Sequence, residues 1–309
     1  MKPAPDELFL DQTRDTRPQY MPFGKDLEKV IATQAEHRGG VKLTDERNQA
    51  LSTDETNSQI RIYYLALFHA WGPQNWWPAK SPFEVIVGAY LTQNTAWTNV
   101  EKALANLRSA KLLSVKGMRK VSLTKLESLI RPSGYFRQKA KRLKTFVRFL
   151  YRQHGGSLST MLTRPTAELR KELLTLNGIG PETADSVLLY AGNHPVFVVD
   201  AYTRRILERH AMLPEKSTYE EIRKLIEEAL SPLAEIAFHP ENAATVELAP
   251  GFPGPPHPPS RMSAAKRTVL AQIYNEMHGL IVNVGKNYCK KSQPHCDGCP
   301  LQKFLPELK

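Results

Sequence analysis

The sequence predicts an all-α fold. Apolar residues recur three and four positions apart in almost every segment from residue 58 onward, which is the spacing of an amphipathic helix. Glycine, proline and serine separate these segments, and no long run alternates apolar and polar residues as a half-buried strand would. Only the short run VFVV at 196–199 reads as extended.

Each predicted helix carries an apolar stripe and ends near a residue that interrupts helices. PETADSVLLYAG, for example, starts with proline, which suits the first helical position, and ends at a glycine. The predicted helical segments are 58–72, 81–93, 98–110, 124–134, 139–155, 166–176, 181–192, 200–210, 219–230 and 265–285.

Composition and charge narrow the function classes. The chain has 309 residues and a formal net charge of +11, which favours a polyanionic partner such as nucleic acid, although an ordinary basic surface is the alternative. No apolar run approaches the roughly 20 residues of a membrane helix, and the N-terminus lacks a signal-peptide core. We therefore expect a cytoplasmic protein with no membrane partner.

The chain divides into three parts by composition. Residues 1–57 are polar and are expected to form a mobile or loosely docked extension. Residues 58–285 form the helical core, interrupted at 249–260 by the proline-rich APGFPGPPHPPS, an expected exposed surface insertion. Residues 286–309 contain all the cysteines.

The segment LNGIGPETAD predicts a helical hairpin. Gly178 and Gly180 permit torsions closed to other residues, and Ile179 between them would anchor the turn in the core. Amides at the start of the second helix suit a DNA phosphate. An ordinary helical hairpin is the alternative for the glycines alone.

Together with VVDAYTRRI downstream, this hairpin resembles the helix-hairpin-helix element of the DNA glycosylase superfamily that includes endonuclease III. The resemblance implies two helical subdomains, DNA binding through the hairpin, and a catalytic carboxylate at Asp200. Taken alone, Asp200 reads as a helix N-cap, and the two roles are compatible because capping stabilises the ionised form. An ionised carboxylate stabilises the positive charge that develops on the sugar during glycosidic cleavage.

Glu182 stands where bifunctional members of that superfamily carry the lysine that attacks the sugar. A carboxylate forms no Schiff base, so the resemblance implies a glycosylase without strand-cutting lyase activity. Other lysines leave a substitute amine open, and an acidic residue is also ordinary in a first helical turn.

The segments NWWP, LTQNTAW and RPSGYFRQKAKRL resemble bacterial 3-methyladenine DNA glycosylases of the endonuclease III type. The resemblance implies a pocket in which aromatic rings hold a flipped, electron-poor base. For any single tryptophan an ordinary core position is the alternative. The implied pocket residues are Trp76, Trp77, Pro78 and Trp97.

The same resemblance assigns contacts with DNA. Gln93 would enter the gap left by the flipped base, and Tyr135 would wedge the opposite strand. A basic run beside it would meet phosphates, although such a run is often only a solvated face. Its members are Arg137, Lys139, Lys141 and Arg142.

Cys289, Cys296 and Cys299 follow the spacing of the iron–sulfur loop of many endonuclease III relatives, but Leu305 takes the fourth place. A [4Fe–4S] cluster would then need another ligand, such as His295 or Asp297. The alternatives are a labile or three-iron cluster, zinc on three thiolates and His295, or a loop without metal.

The sequence thus predicts a monomeric, monofunctional DNA glycosylase that removes alkylated purines from damaged double-stranded DNA in a bacterial cell. Two alternatives remain: an endonuclease III-like glycosylase for oxidised or mismatched bases, and a non-catalytic DNA-damage-binding protein.

Overall fold

A computed structural model describes residues 52–214, 216–236 and 257–305. The described residues form twelve α-helices and no strand, which confirms the all-α prediction. Among these helices, none combines the length and apolar character needed to cross a membrane. In chain order the helices are α1 (Thr53–Trp71), α2 (Pro82–Thr92), α3 (Trp97–Ser109), α4 (Val115–Lys120), α5 (Leu123–Ile130), α6 (Phe136–His154), α7 (Leu158–Leu162), α8 (Thr166–Leu174), α9 (Pro181–Ser186), α10 (Ala201–Arg209), α11 (Tyr219–Ile236) and α12 (Val269–Asn287).

Serine side chains begin many of these helices by accepting a hydrogen bond from a first-turn amide, which would otherwise lack a helical partner. Ser52 forms a reciprocal capping box with Glu55, so α1 starts inside the segment predicted as a polar extension to residue 57. Most of that extension, residues 1–51, lies outside the described part of the chain. The serine caps are Ser52, Ser81, Ser114, Ser122 and Ser157.

The helices form two groups. Helix α1 packs against α11 and α12, and α10 packs against α12, so both ends of the described chain share one group. Helices α2–α6 pack on one another in the second group. After α9 the chain continues as a π-helical turn, Val187–Ala191, which contacts both α2 and α12. The residues discussed below lie where this turn joins the two groups.

The end of the proline-rich segment packs against the Trp76–Trp77 loop. Residues 237–256 lie outside the described residues, but Ser260 Oγ donates to the Trp77 carbonyl at 3.1 Å and the Met262 amide donates to the Ala79 carbonyl at 3.1 Å. Pro258 and Pro259 are exposed, whereas His257 and Ser260 are half-buried. Residues 249–256 of the predicted insertion lie outside the described residues.

Candidate active site

The predicted hairpin connects α8 to α9. Gly178 adopts a positive φ of 86°, and a Cβ on it would lie 2.1 Å from Arg142 Nε, so only glycine fits. Ile179 is 6% exposed and anchors the turn in the core. Gly180 has open space where a side chain would be, so its backbone is accessible from outside.

Gln93 connects this turn to α2 and α6. Its Nε2 donates to the Gly178 carbonyl at 2.9 Å and to Thr183 Oγ1 at 3.0 Å, while Arg142 Nη1 donates to its Oε1 at 2.8 Å. If Gln93 entered the space that a flipped base leaves in DNA, it would break these hydrogen bonds and form new ones with the DNA. That role of Gln93 stays a prediction.

Asp200 begins α10 and uses one carboxylate oxygen as its cap. Asp200 Oδ1 accepts from the Thr203 amide at 2.7 Å and from Thr203 Oγ1 at 2.9 Å. The preceding run 196–199 has no regular secondary structure. Side chains accept hydrogen bonds from the backbone of this run: the Phe197 amide donates to Glu227 at 2.8 Å, and the Val199 amide donates to Tyr219 Oη at 3.3 Å. The position of Asp200 is therefore fixed on both sides.

The second oxygen of Asp200 faces His278 on α12. His278 Nε2 lies 3.7 Å from Asp200 Oδ2, and both side chains are largely buried. Tyr190 Oη lies 2.6 Å from His278 Nδ1. Burial raises the pKa of Tyr190 well above its usual value and lowers the pKa of His278, although the charge of Asp200 opposes the latter shift. A neutral imidazole that accepts from Tyr190 at Nδ1 carries its proton on Nε2, facing the carboxylate.

Glu182 occupies the first turn of α9. Part of its side chain is exposed to solvent, but surrounding protein atoms desolvate the carboxylate. This desolvation raises the pKa of Glu182 to about 7, and the negative charge of Asp200 raises it further. The site thus pairs a capped carboxylate with one that titrates near neutral pH.

The predicted aromatic residues form one cluster. Trp76 and Trp77 are 6% and 5% exposed, and Trp97, the first residue of α3, lies 5.9 Å and 5.2 Å from their ring centroids. The Trp76 ring also lies 6.3 Å from the His278 ring, which connects the cluster to Asp200. Pro78 follows, half-buried.

Gly279 allows this approach of the loop to α12. A Cβ on Gly279 would lie 2.9 Å from the Gln74 side chain and 3.2 Å from Trp76 Cβ. The Gln74 amide donates to the buried Glu276 carboxylate at 2.7 Å, so α12 also holds the loop by a hydrogen bond.

Three polar residues of this site escaped the sequence analysis: His278, Tyr190 and Lys286. Lys286 Nζ lies 5.8 Å from the Trp76 ring centroid, and desolvation lowers its pKa although Glu101 and Asp200 oppose the shift. The run MHGLIV contains His278, but nothing in one sequence connects that run to Asp200.

The predicted DNA contacts divide into exposed and buried residues. Tyr135 is 68% exposed and precedes α6 in the left-handed conformation, and Arg137 and Lys141 are exposed. Lys139 is 1% exposed, and its Nζ donates to the carbonyls of Leu91 at 2.9 Å and Ser133 at 2.6 Å. The prediction that Lys139 meets a phosphate is wrong, because its charge is used inside the protein.

The cysteine loop follows α12 directly. Arg205 Nε donates to the Cys289 carbonyl at 2.7 Å, and Arg209 Nη1 lies 3.2 Å from Cys289 Sγ and 2.7 Å from the Lys290 carbonyl. Burial raises the pKa of the Cys299 thiol, and the proximity of Cys296 and Cys289 raises it further.

The donor set of this loop does not complete a cluster site. Leu305, at the fourth place of the spacing, offers no donor. His295 and Asp297, the conceivable substitutes, are both exposed. Within the described residues, no group of three or more His, Cys, Asp or Glu side chains is arranged to hold a metal ion. The loop is attached through Arg205 and Arg209.

Comparison with known proteins agrees with this geometry. Residues 87–232 match the family model described as HhH-GPD superfamily base excision DNA repair protein. The chain is 39% identical to a candidate DNA repair glycosylase of Methanocaldococcus jannaschii, over 78% of this chain and 93% of that protein. It is 32% identical to endonuclease III of Thermotoga maritima, over 72% of this chain and 81% of that protein.

Among solved structures, the chain is similar to the H. pylori 3-methyladenine DNA glycosylase crystallised with 1,N6-ethenoadenine. The match has a TM-score of 0.57 and 30% sequence identity, and it covers 76% of this chain and 98% of that one. The chain therefore belongs to the HhH-GPD superfamily of base excision DNA repair proteins.

Proposed function

We propose that this DNA glycosylase is monofunctional and removes alkylated purines from double-stranded DNA. The observation that carries the proposal is the tryptophan cluster connected through His278 to the capped carboxylate of Asp200. The similarity to the H. pylori enzyme, whose name gives 3-methyladenine as its base, supports the substrate class.

The aromatic cluster would bind the flipped base. An alkylated purine is electron-poor and often cationic, and indole rings attract such a ring through dispersion and cation–π interaction. A cationic base is already a good leaving group, so the enzyme needs little acid catalysis. Binding and charge stabilisation then carry most of the reaction.

Asp200 would act on the sugar. When the glycosidic bond breaks, its electron pair leaves with the base nitrogen and positive charge develops on the deoxyribose. Asp200 Oδ2 is the oxygen not used in the helix cap, and it is available to stabilise that charge. A water then bonds to the sugar carbon and releases a proton, which leaves an abasic site.

Glu182 supports the absence of lyase activity because a carboxylate cannot attack the sugar as an amine. Lys286 is the amine that favours the alternative, a glycosylase with lyase activity, because it lies beside Trp76 and desolvation lowers its pKa. Borohydride trapping on abasic DNA separates these cases. We expect no trapped complex with the natural chain and a trapped complex with Glu182→Lys. A complex that forms with the natural chain and disappears in Lys286→Ala would contradict the monofunctional assignment.

Base-release profiling tests the substrate class. Duplexes with a methylated purine, ethenoadenine, an oxidised pyrimidine or a mismatched thymine are incubated with excess enzyme, and the free bases are quantified. We expect release of the alkylated purines. Release of only the oxidised or mismatched base would support the endonuclease III-like alternative and overturn the proposal.

The exposed residues near the hairpin support binding to double-stranded DNA. Tyr135 projects from the turn before α6, and Gly180 lies open in the hairpin. Arg137 and Lys141 add exposed positive charge on the first turns of α6. We infer that these residues meet the duplex around the flipped base.

A further inference from the structure

The surroundings of Trp76 define how a base reaches it. Among the described residues, four aromatic rings and one lysine lie near its ring, and two of these neighbours, Trp77 and His278, are buried in the core. The other three, Trp97, Lys286 and His257, are half-buried or exposed. Of the described neighbours, these three side chains are the ones that a base approaching Trp76 from solvent can meet.

His257 is the neighbour that comes from the proline-rich segment. Its ring centroid lies 5.6 Å from that of Trp76 at an interplanar angle of 49°. Its carbonyl accepts a hydrogen bond from Asn75 Nδ2 at 3.0 Å, and Asn75 directly precedes Trp76. Three residues later, Ser260 bonds the Trp77 carbonyl. Residues 257–260 are thus fixed at two points to the loop that carries the tryptophans.

The charge around His257 is balanced. Lys286 on α12 and Glu101 on α3 are the charged groups that influence it, and they oppose each other. Desolvation, followed by the charge of Lys286, lowers the pKa of His257. When the His257 imidazole is neutral, the charges beside it are one cation, Lys286, and one anion, Glu101.

We propose that His257 is a base-selecting residue of the pocket, in which its imidazole ring contacts the flipped base beside Trp76. The inference rests on the proposed function, because it assumes that the base binds at the tryptophan cluster. A neutral ring at this place accepts cationic and uncharged purines alike. A fixed positive charge there would repel a cationic base and leave an uncharged base little affected.

Substitution of this one residue tests the inference. Single-turnover release is measured from duplexes with a cationic methylated purine and from duplexes with uncharged ethenoadenine. His257→Arg is expected to slow release of the cationic base on the order of tenfold more than release of ethenoadenine. His257→Phe keeps an uncharged ring and is expected to preserve the ratio of the two rates. Pro259→Ala, an exposed position in the same segment, is the matched control and is expected to behave as the natural chain.

The outcomes separate the inference from the proposed function. If the natural chain releases neither purine, the proposed function fails and the inference fails with it. If the natural chain is active but His257→Arg slows both bases equally or neither, only the inference is overturned. Circular dichroism melts verify folding. Should the arginine variant not fold, His257→Ala replaces it: we expect both rates to fall relative to Pro259→Ala, and unchanged rates would overturn the inference.

Discussion

Asp200 uses its two carboxylate oxygens differently. Oδ1 is bonded to Thr203 and fixes the side chain at the start of α10, whereas Oδ2 faces His278 Nε2 at 3.7 Å. One residue thus combines a structural cap with a charge directed into the site.

Tyr190 is expected to act on Asp200 through His278. Tyr190→Phe removes the hydroxyl that fixes the imidazole tautomer, and we expect the rate of base release to fall roughly tenfold with little change in KM. Tyr274→Phe is the matched control: its hydroxyl is 3.2 Å from the Glu227 carbonyl, away from Asp200. Equal losses in both variants would show that Tyr190 contributes only to packing.

Glu182 is expected to shape the pH profile. Its pKa of about 7 means that it is neutral below that pH and anionic above it. The added negative charge stabilises positive charge on the sugar, so the single-turnover rate should rise as pH passes through about 7. Desolvation also lowers the pKa values of His278 and Lys286 in this site, so Glu182→Gln isolates the contribution of Glu182. The same rise in Glu182→Gln would assign the step to another residue.

Lys139 connects two elements of the second helical group. Its Nζ joins the last turn of α2 to the Arg131–Ser133 turn that presents Tyr135. The stripe of α6 already indicated this position, because Lys139 lies four residues before Leu143 and seven before Phe146, both fully buried. The basic run was therefore misread as a continuous exposed face, although helical periodicity separates Lys139 from Arg137 and Lys141.

Removal of this buried cation should destabilise the fold. Lys139→Met leaves two buried carbonyls without their donor, and we expect the free energy of unfolding to fall by about 1–3 kcal/mol. Chemical denaturation measures this change, with the exposed Lys141→Met as control.

The pH dependence of stability gives a second readout for Lys139. Desolvation lowers its pKa to about 8 from 10.5, so the unfolded state binds more protons between these values. The Lys139 contribution to the free energy of unfolding should therefore be least favourable below pH 8 and improve as pH rises toward 10.5. Identical pH profiles in Lys139→Met and the natural chain would contradict this assignment.

The cysteine loop lacks a cysteine at one position of the four-cysteine spacing. Leu305→Cys would complete the four-cysteine spacing, so anaerobically purified Leu305→Cys should retain more iron and stronger visible iron–sulfur absorbance than the natural chain. Leu301→Cys, a buried position between the third cysteine and Leu305, is the control for an added thiol. A full four-iron complement in the natural chain would show that another ligand takes the fourth place.

Across the whole molecule, the features that could be predicted from the sequence are those that depend on short local patterns of residues. Helical spacing, the glycine turn and the cap at Asp200 lie within short segments, and the structure has each of them. The convergence of His278, Lys286 and His257 on Trp76 joins distant parts of the chain, and a histidine or lysine has many ordinary roles. Only the packing of the two helical groups brings these residues together.

The net charge of +11 agrees at this scale with a nucleic-acid-binding protein. Affinity for DNA that rests on phosphate contacts falls with salt, whereas we propose that release of the bound base depends on Asp200. Binding and chemistry can therefore be measured separately on the same duplex.

Single-turnover base release by Asp200→Asn tests the central claim most directly. Asparagine keeps the shape of the side chain and a capping oxygen but removes the charge. We predict at least a ~100-fold slower release of an alkylated purine, with affinity for the damaged duplex retained. Release at the natural rate would contradict a catalytic role for this carboxylate.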